Sequence, residues 1–181
     1  MSKTIVVFAG NECRKDKEKY YYSLAYETGK LLAQNGFVTA TGGGPGLMNE
    51  VCRGAFENGG ETIGICLDMP GRIHSKFLTR SSHYTNLVKR QQELIRLGNG
   101  FISLPGGIGT IFEVAAVLSL KRKGEIPKNS PLIIVDSYFN IFINWMQKMK
   151  EEGFVNGEFL NLYTRAENPR ETIDKLKKSF V

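Results

Sequence analysis

Leu104-Pro105-Gly106-Gly107-Ile108-Gly109-Thr110-Ile111-Phe112-Glu113 joins an apolar run to a glycine-rich turn and then to a helix that carries one carboxylate. The run from Asn99 to Leu104 has the pattern of a buried parallel strand, closed by Pro105. Gly106, Gly107 and Gly109 let the backbone turn tightly with its N–H groups facing outward, so the start of the next helix is a cradle for an anion such as phosphate. Between Gly109 and Leu120 only Glu113 is charged, and Ile111, Phe112, Val114, Val117, Leu118 and Leu120 cover the helix on every face. At a rise of ~1.5 Å per residue Glu113 stands about 6 Å along the helix from the glycine turn, with little water around it. A carboxylate in such surroundings needs a reason. It either complements the helix dipole or acts on the sugar or base attached to a bound phosphate.

Outward from this stretch the chain alternates strands and helices. Ile5-Val6-Val7-Phe8, followed by Ala9-Gly10-Asn11, reads as a first buried strand, and the apolar spacing predicts a helix from Asp16 to Asn35, stopped at Gly36. Phe37 to Thr41 is a second strand, broken by Gly42-Gly43-Gly44, and Pro45 is expected at the first position of a helix that runs to Asn58. Thr62 to Leu67 is a third strand. Met69 to Ser82, with Arg72, His74, Lys76 and Arg80, is the longest irregular stretch and reads as a lid or a partner contact. A short strand near Tyr84, a helix from Asn86 to Leu97, a buried strand from Pro131 to Val135 and a helix from Tyr138 to Glu152 follow. Asn168-Pro169-Arg170-Glu171 opens the final helix with a capping box. This order implies an α/β protein: a Rossmann-like, doubly wound parallel sheet with helices on both faces, in a single domain over residues 1–181. Ligands of such sheets bind beyond the carboxyl ends of the strands, so the two glycine turns are expected to wall one pocket.

Composition narrows the function by exclusion. The apolar run near the N-terminus is too short for a secretory signal and no segment approaches the ~20 apolar residues of a membrane span, so a cytoplasmic protein without membrane contact is expected. Cys13, Cys52 and Cys66 have no paired spacing and His74 and His83 stand alone, which suggests neither disulfides nor a metal site. The 24 Lys and Arg against 18 Asp and Glu give a net charge of +6. Lys121-Arg122-Lys123 at one helix end and Lys175, Lys177 and Lys178 at another read as solvated, dipole-complementing faces, and no motif supports nucleic-acid binding. Gly42-Gly43-Gly44-Pro45-Gly46 is not a G-x-G-x-x-G dinucleotide fingerprint, and no G-x-x-x-x-G-K-[ST] occurs.

A second charge stands in an unexpected place. Leu87, Arg90, Leu94 and Leu97 fall on one helical stripe, so Arg90 points inward with the leucines, either as a structural ion-pairing arginine or as a ligand for phosphate or sugar oxygens. Glu93, off the stripe, reads as surface. Pro105 to Glu113 resembles the P-G-G-x-G-T-x-x-E signature of the LONELY GUY family of nucleoside 5′-monophosphate phosphoribohydrolases, long labelled "possible lysine decarboxylase". Gly42 to Met48 resembles the family's G-G-G-x-x-G-L-M loop, and Arg90 falls at its arginine position. The similarity runs from Ile5 to about Leu176.

The resemblance implies hydrolysis of the N-glycosidic bond of AMP or a cytokinin riboside monophosphate, in a Rossmann-like homodimer or larger assembly that needs no cofactor. Arg90 and Glu113 would be the catalytic pair, with Gly43, Gly44, Gly106, Gly107, Gly109 and Thr110 holding phosphate and ribose. Gln91 follows Arg90 where the family usually has Lys, Phe112 replaces a frequent acidic residue, and the Trp common in plant-type members is absent after Glu113, which together look more like a bacterial subgroup. These departures leave the base open. No lysine is marked for pyridoxal phosphate, so the decarboxylase label finds no support. A binding protein that senses nucleotides or carries molybdenum cofactor on similar glycine loops is the alternative from another class.

Overall fold

The apolar strand Thr4–Phe8 (β1) is buried on both sides, with Ile5, Val6, Val7 and Phe8 no more than 1% exposed, and it therefore belongs at the centre of a sheet. The computed structural model describes residues 2–180; Met1 and Val181, the ends of the expected domain, lie outside the described residues. In chain order β1 is followed by α1 (Glu18–Gln34), β2 (Val38–Thr41), α2 (Leu47–Glu57), β3 (Thr62–Leu67) and β4 (Arg80–Tyr84). Then come α3 (Leu87–Leu97), β5 (Gly100–Ser103), α4 (Ile108–Lys123), β6 (Leu132–Val135), α5 (Asn140–Glu151), β7 (Thr164–Ala166) and α6 (Pro169–Lys178).

Among the described residues the seven strands form one parallel sheet in the order β4-β3-β2-β1-β5-β6-β7. Alternate side chains of the central strands feed two cores. Val6, Phe8, Phe101, Leu132 and Ile134 pack with Leu94 of α3 and with Val114, Val117 and Leu118 of α4, while Ile5, Val7, Ile102 and Ile133 pack with α1, α2 and α6. This is the doubly wound, Rossmann-like fold that the strand and helix pattern implies.

The differences from the sequence reading have local causes. α2 starts at Leu47, not at Pro45, because Gly46 adopts φ 66° and ψ −132°, which no helix continues; a Cβ on Gly46 would lie 1.7 Å from the Asn11 carbonyl oxygen. β7 is unanticipated. It is a three-residue edge strand whose Thr164 and Arg165 are exposed, so it carries no apolar signal. Leu87, placed with the inward stripe, is 50% exposed at the first turn of α3.

Lys121 is not solvated with its basic neighbours. It is buried, and its Nζ donates hydrogen bonds to the carbonyl oxygens of Ser130, at 2.8 Å, and Leu162, tying α4 to two loops. Burial lowers its pKa to about 8. At the final helix the capping is as expected, with Asn168 Oδ1 accepting from the Glu171 N–H at 3.0 Å, although Glu171 reaches back to the N–H of Glu167.

Candidate active site

The sheet order turns at β1, with β2 on one side and β5 on the other, and the crevice past the ends of β1 and β5 is where such a sheet holds a ligand. A cleft of about 330 Å³ lies there. Ala9 to Glu12 after β1 form one wall and Gly107 to Thr110 of the β5–α4 turn the other, with Leu67, Arg72, Arg90 and Glu113 closing it. Three loops are latched together beneath it. The Gly10 N–H donates to the Pro105 carbonyl at 3.0 Å, and the Leu47 N–H donates to the Gly10 carbonyl at 3.0 Å. Gly10 is suited to this contact, since a Cβ there would come within 3.1 Å of the Gly106 Cα.

The first bond of the α4 ladder runs from the Ile111 N–H to the Gly107 carbonyl, so the N–H groups of Ile108, Gly109 and Thr110 precede the ladder and remain to meet an anion. One turn on, Glu113 is 8% exposed and accepts a hydrogen bond of 2.7 Å on Oε1 from Arg90 Nη1. Arg90, 6% exposed, also donates from Nε to the Ile65 carbonyl at 3.0 Å. Its remaining edge lies on Gly42, where a Cβ would sit 1.8 Å from Nη2. Burial pushes the Glu113 carboxyl above its ordinary pKa, against the opposing pull of Arg90 and Arg72.

Arg72 comes from the loop after β3, the stretch read as a lid or a partner contact. The loop is tied to the glycine turn by the Ser75 N–H, which donates to the Gly43 carbonyl at 2.8 Å, and by the Ser75 hydroxyl, which donates to Asn49 Oδ1 at 2.9 Å. The guanidinium lies over Gly44, with Nη2 2.9 Å from the position of a Cβ there, and its buried Nε has no hydrogen-bond partner among the described residues. A cation with an unused donor at the edge of an anion cradle is a ready phosphate ligand.

Of the residues singled out in the sequence, Arg90, Glu113, Gly107, Gly109 and Thr110 line the cleft together. Gly106 sits behind the turn, where its carbonyl accepts from the Tyr138 hydroxyl at 2.7 Å. Gly43 and Gly44 are buried under the cleft and do not form its wall; they let Cys66 and Arg72 approach the backbone closely. Arg72 and the Ala9–Glu12 segment went unassigned, because one arginine in a long loop and a turn after a strand carry no spacing signal. Gly10 reads in the sequence only as part of the turn that ends β1.

A protein with this all-parallel sheet, helices on both faces and a switch-point crevice belongs to the Rossmann-like class of folds. Comparison with known proteins makes the assignment specific. The model of the family described as "possible lysine decarboxylase" matches residues 48–176, and the chain belongs to this family, the LONELY GUY family. It is 32% identical over 177 residues to the probable cytokinin riboside 5′-monophosphate phosphoribohydrolase LOGL2 of Oryza sativa subsp. japonica, covering 96% of this chain and 72% of the relative. It is 28% identical to the cytokinin riboside 5′-monophosphate phosphoribohydrolase LOG5 of Arabidopsis thaliana, covering 97% and 77%.

Solved structures of like fold include the molybdenum cofactor binding protein from the phototrophic bacterium Rippkaea orientalis, with a TM-score of 0.77 and 22% identity over 100% of this chain and 99% of that one. The Moco carrier protein from Chlamydomonas reinhardtii superposes with a TM-score of 0.74 at 22% identity over 99% and 98%. At these identities the likeness is one of fold.

Proposed function

We propose that the cleft hydrolyses the N-glycosidic bond of a nucleoside 5′-monophosphate, of the AMP or cytokinin riboside monophosphate type, to free base and ribose 5-phosphate. The observation that carries this reading is the buried Arg90–Glu113 pair one turn inside the helix whose N-terminus forms the anion cradle. Its relatives' names point the same way. The 5′-phosphate binds the N–H groups of Ile108, Gly109 and Thr110 and the guanidinium of Arg72, which sets the ribose over Glu113.

As the bond between C1′ and the base nitrogen breaks, its electron pair leaves with the base and positive charge grows on the ribosyl ring. The Glu113 carboxylate, in a dry site, stabilises that charge and orients the water that adds to C1′; the water's proton passes to the carboxylate and on to the departing base. Arg90 holds Glu113 in place and favours its ionised form. This assigns Arg90 to the carboxylate rather than to the phosphate, since Nη1 and Nε are both engaged by the protein.

The test is a turnover panel with purified protein and AMP, GMP, CMP, UMP and dAMP. Catalytic release of free base from at least one is expected, and its identity gives the base preference. Stoichiometric binding of a nucleotide with no base released from any would replace the enzyme by a carrier or sensor.

A further inference from the structure

Outside the cleft chemistry, the region that holds both histidines brings together groups that the sequence keeps apart. Cys66 and His83 are register partners on the adjacent parallel strands β3 and β4, so their side chains leave the same face of the sheet side by side. Asp68 follows β3, held by its N–H to the Tyr84 carbonyl at 2.8 Å, and His74 comes back over it from the loop. One ligating atom from each of Cys66, His74 and His83 lies within 4.8 Å of the others. Asp68 Oδ1 is 3.0 Å from His74 Nε2 and 2.9 Å from His83 Nδ1, and the imidazole rings meet edge to face with centroids 5.2 Å apart.

We propose that Cys66, Asp68, His74 and His83 form a binding site for a borderline-soft divalent cation of the zinc class, which pins the loop between β3 and β4 and with it Arg72 at the cleft. Thiolate, two imidazoles and a carboxylate are the donors such an ion prefers, and two anionic ligands neutralise its charge. Around a tetrahedral zinc with bonds of ~2.0–2.3 Å, ligand atoms are about 3.3–3.8 Å apart. The Asp68 carboxylate already stands inside that distance from each imidazole, and rotation of the Cys66 side chain brings the thiol in to join them.

Gly43 and Gly64 leave the sulfur its room: a Cβ on either would stand 2.4 Å or 3.1 Å from Sγ. Burial keeps the Cys66 thiol protonated in the metal-free protein, with Asp68 adding to that and Arg90 and Arg72 opposing it. Ion binding releases that proton to solvent. His74 Nδ1 is buried without a hydrogen-bond partner among the described residues, and the one side-chain hydrogen bond of the ring is to Asp68.

The consequence for the cleft follows from connectivity. Leu67 and Arg72, which line the cleft, flank Asp68 within five residues, and His74 lies two residues beyond Arg72. An ion held by Asp68 and His74 therefore fixes both ends of the segment that carries the free guanidinium.

Cobalt titration of tag-free protein, first dialysed against a chelator, tests the site without reference to activity. One equivalent of Co²⁺ is expected to give a thiolate-to-cobalt charge-transfer band in the near ultraviolet and intense visible bands of tetrahedral cobalt, all lost on addition of Zn²⁺. Cys66→Ser should remove the charge-transfer band. His83→Gln, at a half-exposed position on β4, should weaken Zn²⁺ binding about 100-fold or more. Proteolytic cleavage within the loop should slow when Zn²⁺ is bound. The proposal is overturned if no stoichiometric binding occurs, if bound cobalt is octahedral without a charge-transfer band, or if His83→Gln binds Zn²⁺ as wild type does. These readings stand even where Cys66→Ser fails to fold.

Discussion

The chemistry of the cleft rests on one carboxylate whose burial and whose partner pull in opposite directions. Burial raises the Glu113 pKa and Arg90 at 2.7 Å lowers it, with burial the larger influence. The reaction needs the charged form, so activity should rise with pH along an acid limb centred above the ordinary Glu pKa of ~4.3. Glu113→Gln preserves shape and the bond from Arg90 but removes the charge, so kcat should fall ~10²-fold or more with nucleotide affinity nearly kept. Measured turnover within about threefold of wild type would reduce Glu113 to a structural role. The two arginines divide their tasks differently. Arg72 has an unused donor beside the cradle whereas Arg90 is committed to Glu113 and the Ile65 carbonyl, so Arg72→Ala should raise KM for a monophosphate while leaving nucleoside binding unchanged. Equal losses for AMP and adenosine, measured by competition, would show that Arg72 does not reach the phosphate.

Elements explain what the sequence could and could not reveal. β1 past Thr4 and β6 are runs of Ile, Val, Leu and Phe, and β2, β3 and β5 interrupt apolar residues only with small Thr, Gly or Ser, because all five are covered on both faces, so each was legible. β7 was not, since an exposed three-residue edge strand contributes hydrogen bonds and no pattern. Glu113 was legible as a charge in an apolar helix and Arg90 as one on an apolar stripe, yet that they pair with each other depends on α3 and α4 lying on the same face of the sheet, which periodicity does not encode. Gly42 shows the same gap: it reads as a turn residue, while its actual role is to admit the Arg90 guanidinium. Gly42→Ala should therefore displace Arg90 and cut kcat at least as sharply as it affects stability, and unaltered kinetics would show that the guanidinium can shift without cost. Lys121 was read by its company rather than its place on the helix. Its pKa of about 8 lies below the ~10.4 of an unfolded lysine, so between those values the unfolded chain binds more protons and stability rises with pH. Urea unfolding of wild type and Lys121→Met across that interval should show the rise in wild type alone; parallel curves would mean that Lys121 stays charged in the fold.

At the scale of the whole molecule, α4 poses the question of assembly. Its composition, apolar on every face, calls for cover on every face. Val114, Val117 and Leu118 find theirs in the core of the same chain, at 0%, 0% and 2% exposure, where they pack with Val6, Phe8, Phe101, Leu132 and Ile134 of the sheet and with Phe159 and Leu162. The residues left over are Ile108, 86% exposed, and Phe112, 43% exposed, one turn apart on the outer face. Solvent gains nothing from a bare isoleucine and phenylalanine beside a cleft, and their burial against another copy would be favourable at ~25 cal/mol per Å² of apolar surface. We propose that this face of α4 is the contact of a homodimer or larger assembly, and because Ile108 also lines the cleft, that contact would border the site. Light scattering at micromolar concentration should give a mass that is a multiple of the 20.2 kDa chain. Phe112→Glu, which places a charge in the proposed contact without touching the core, should shift the protein toward one chain and lower activity with it. A monomer in the wild type would remove the proposal, and an unchanged oligomer in Phe112→Glu would move the contact to another face, such as that of α5, where Ile141 and Trp145 are also exposed.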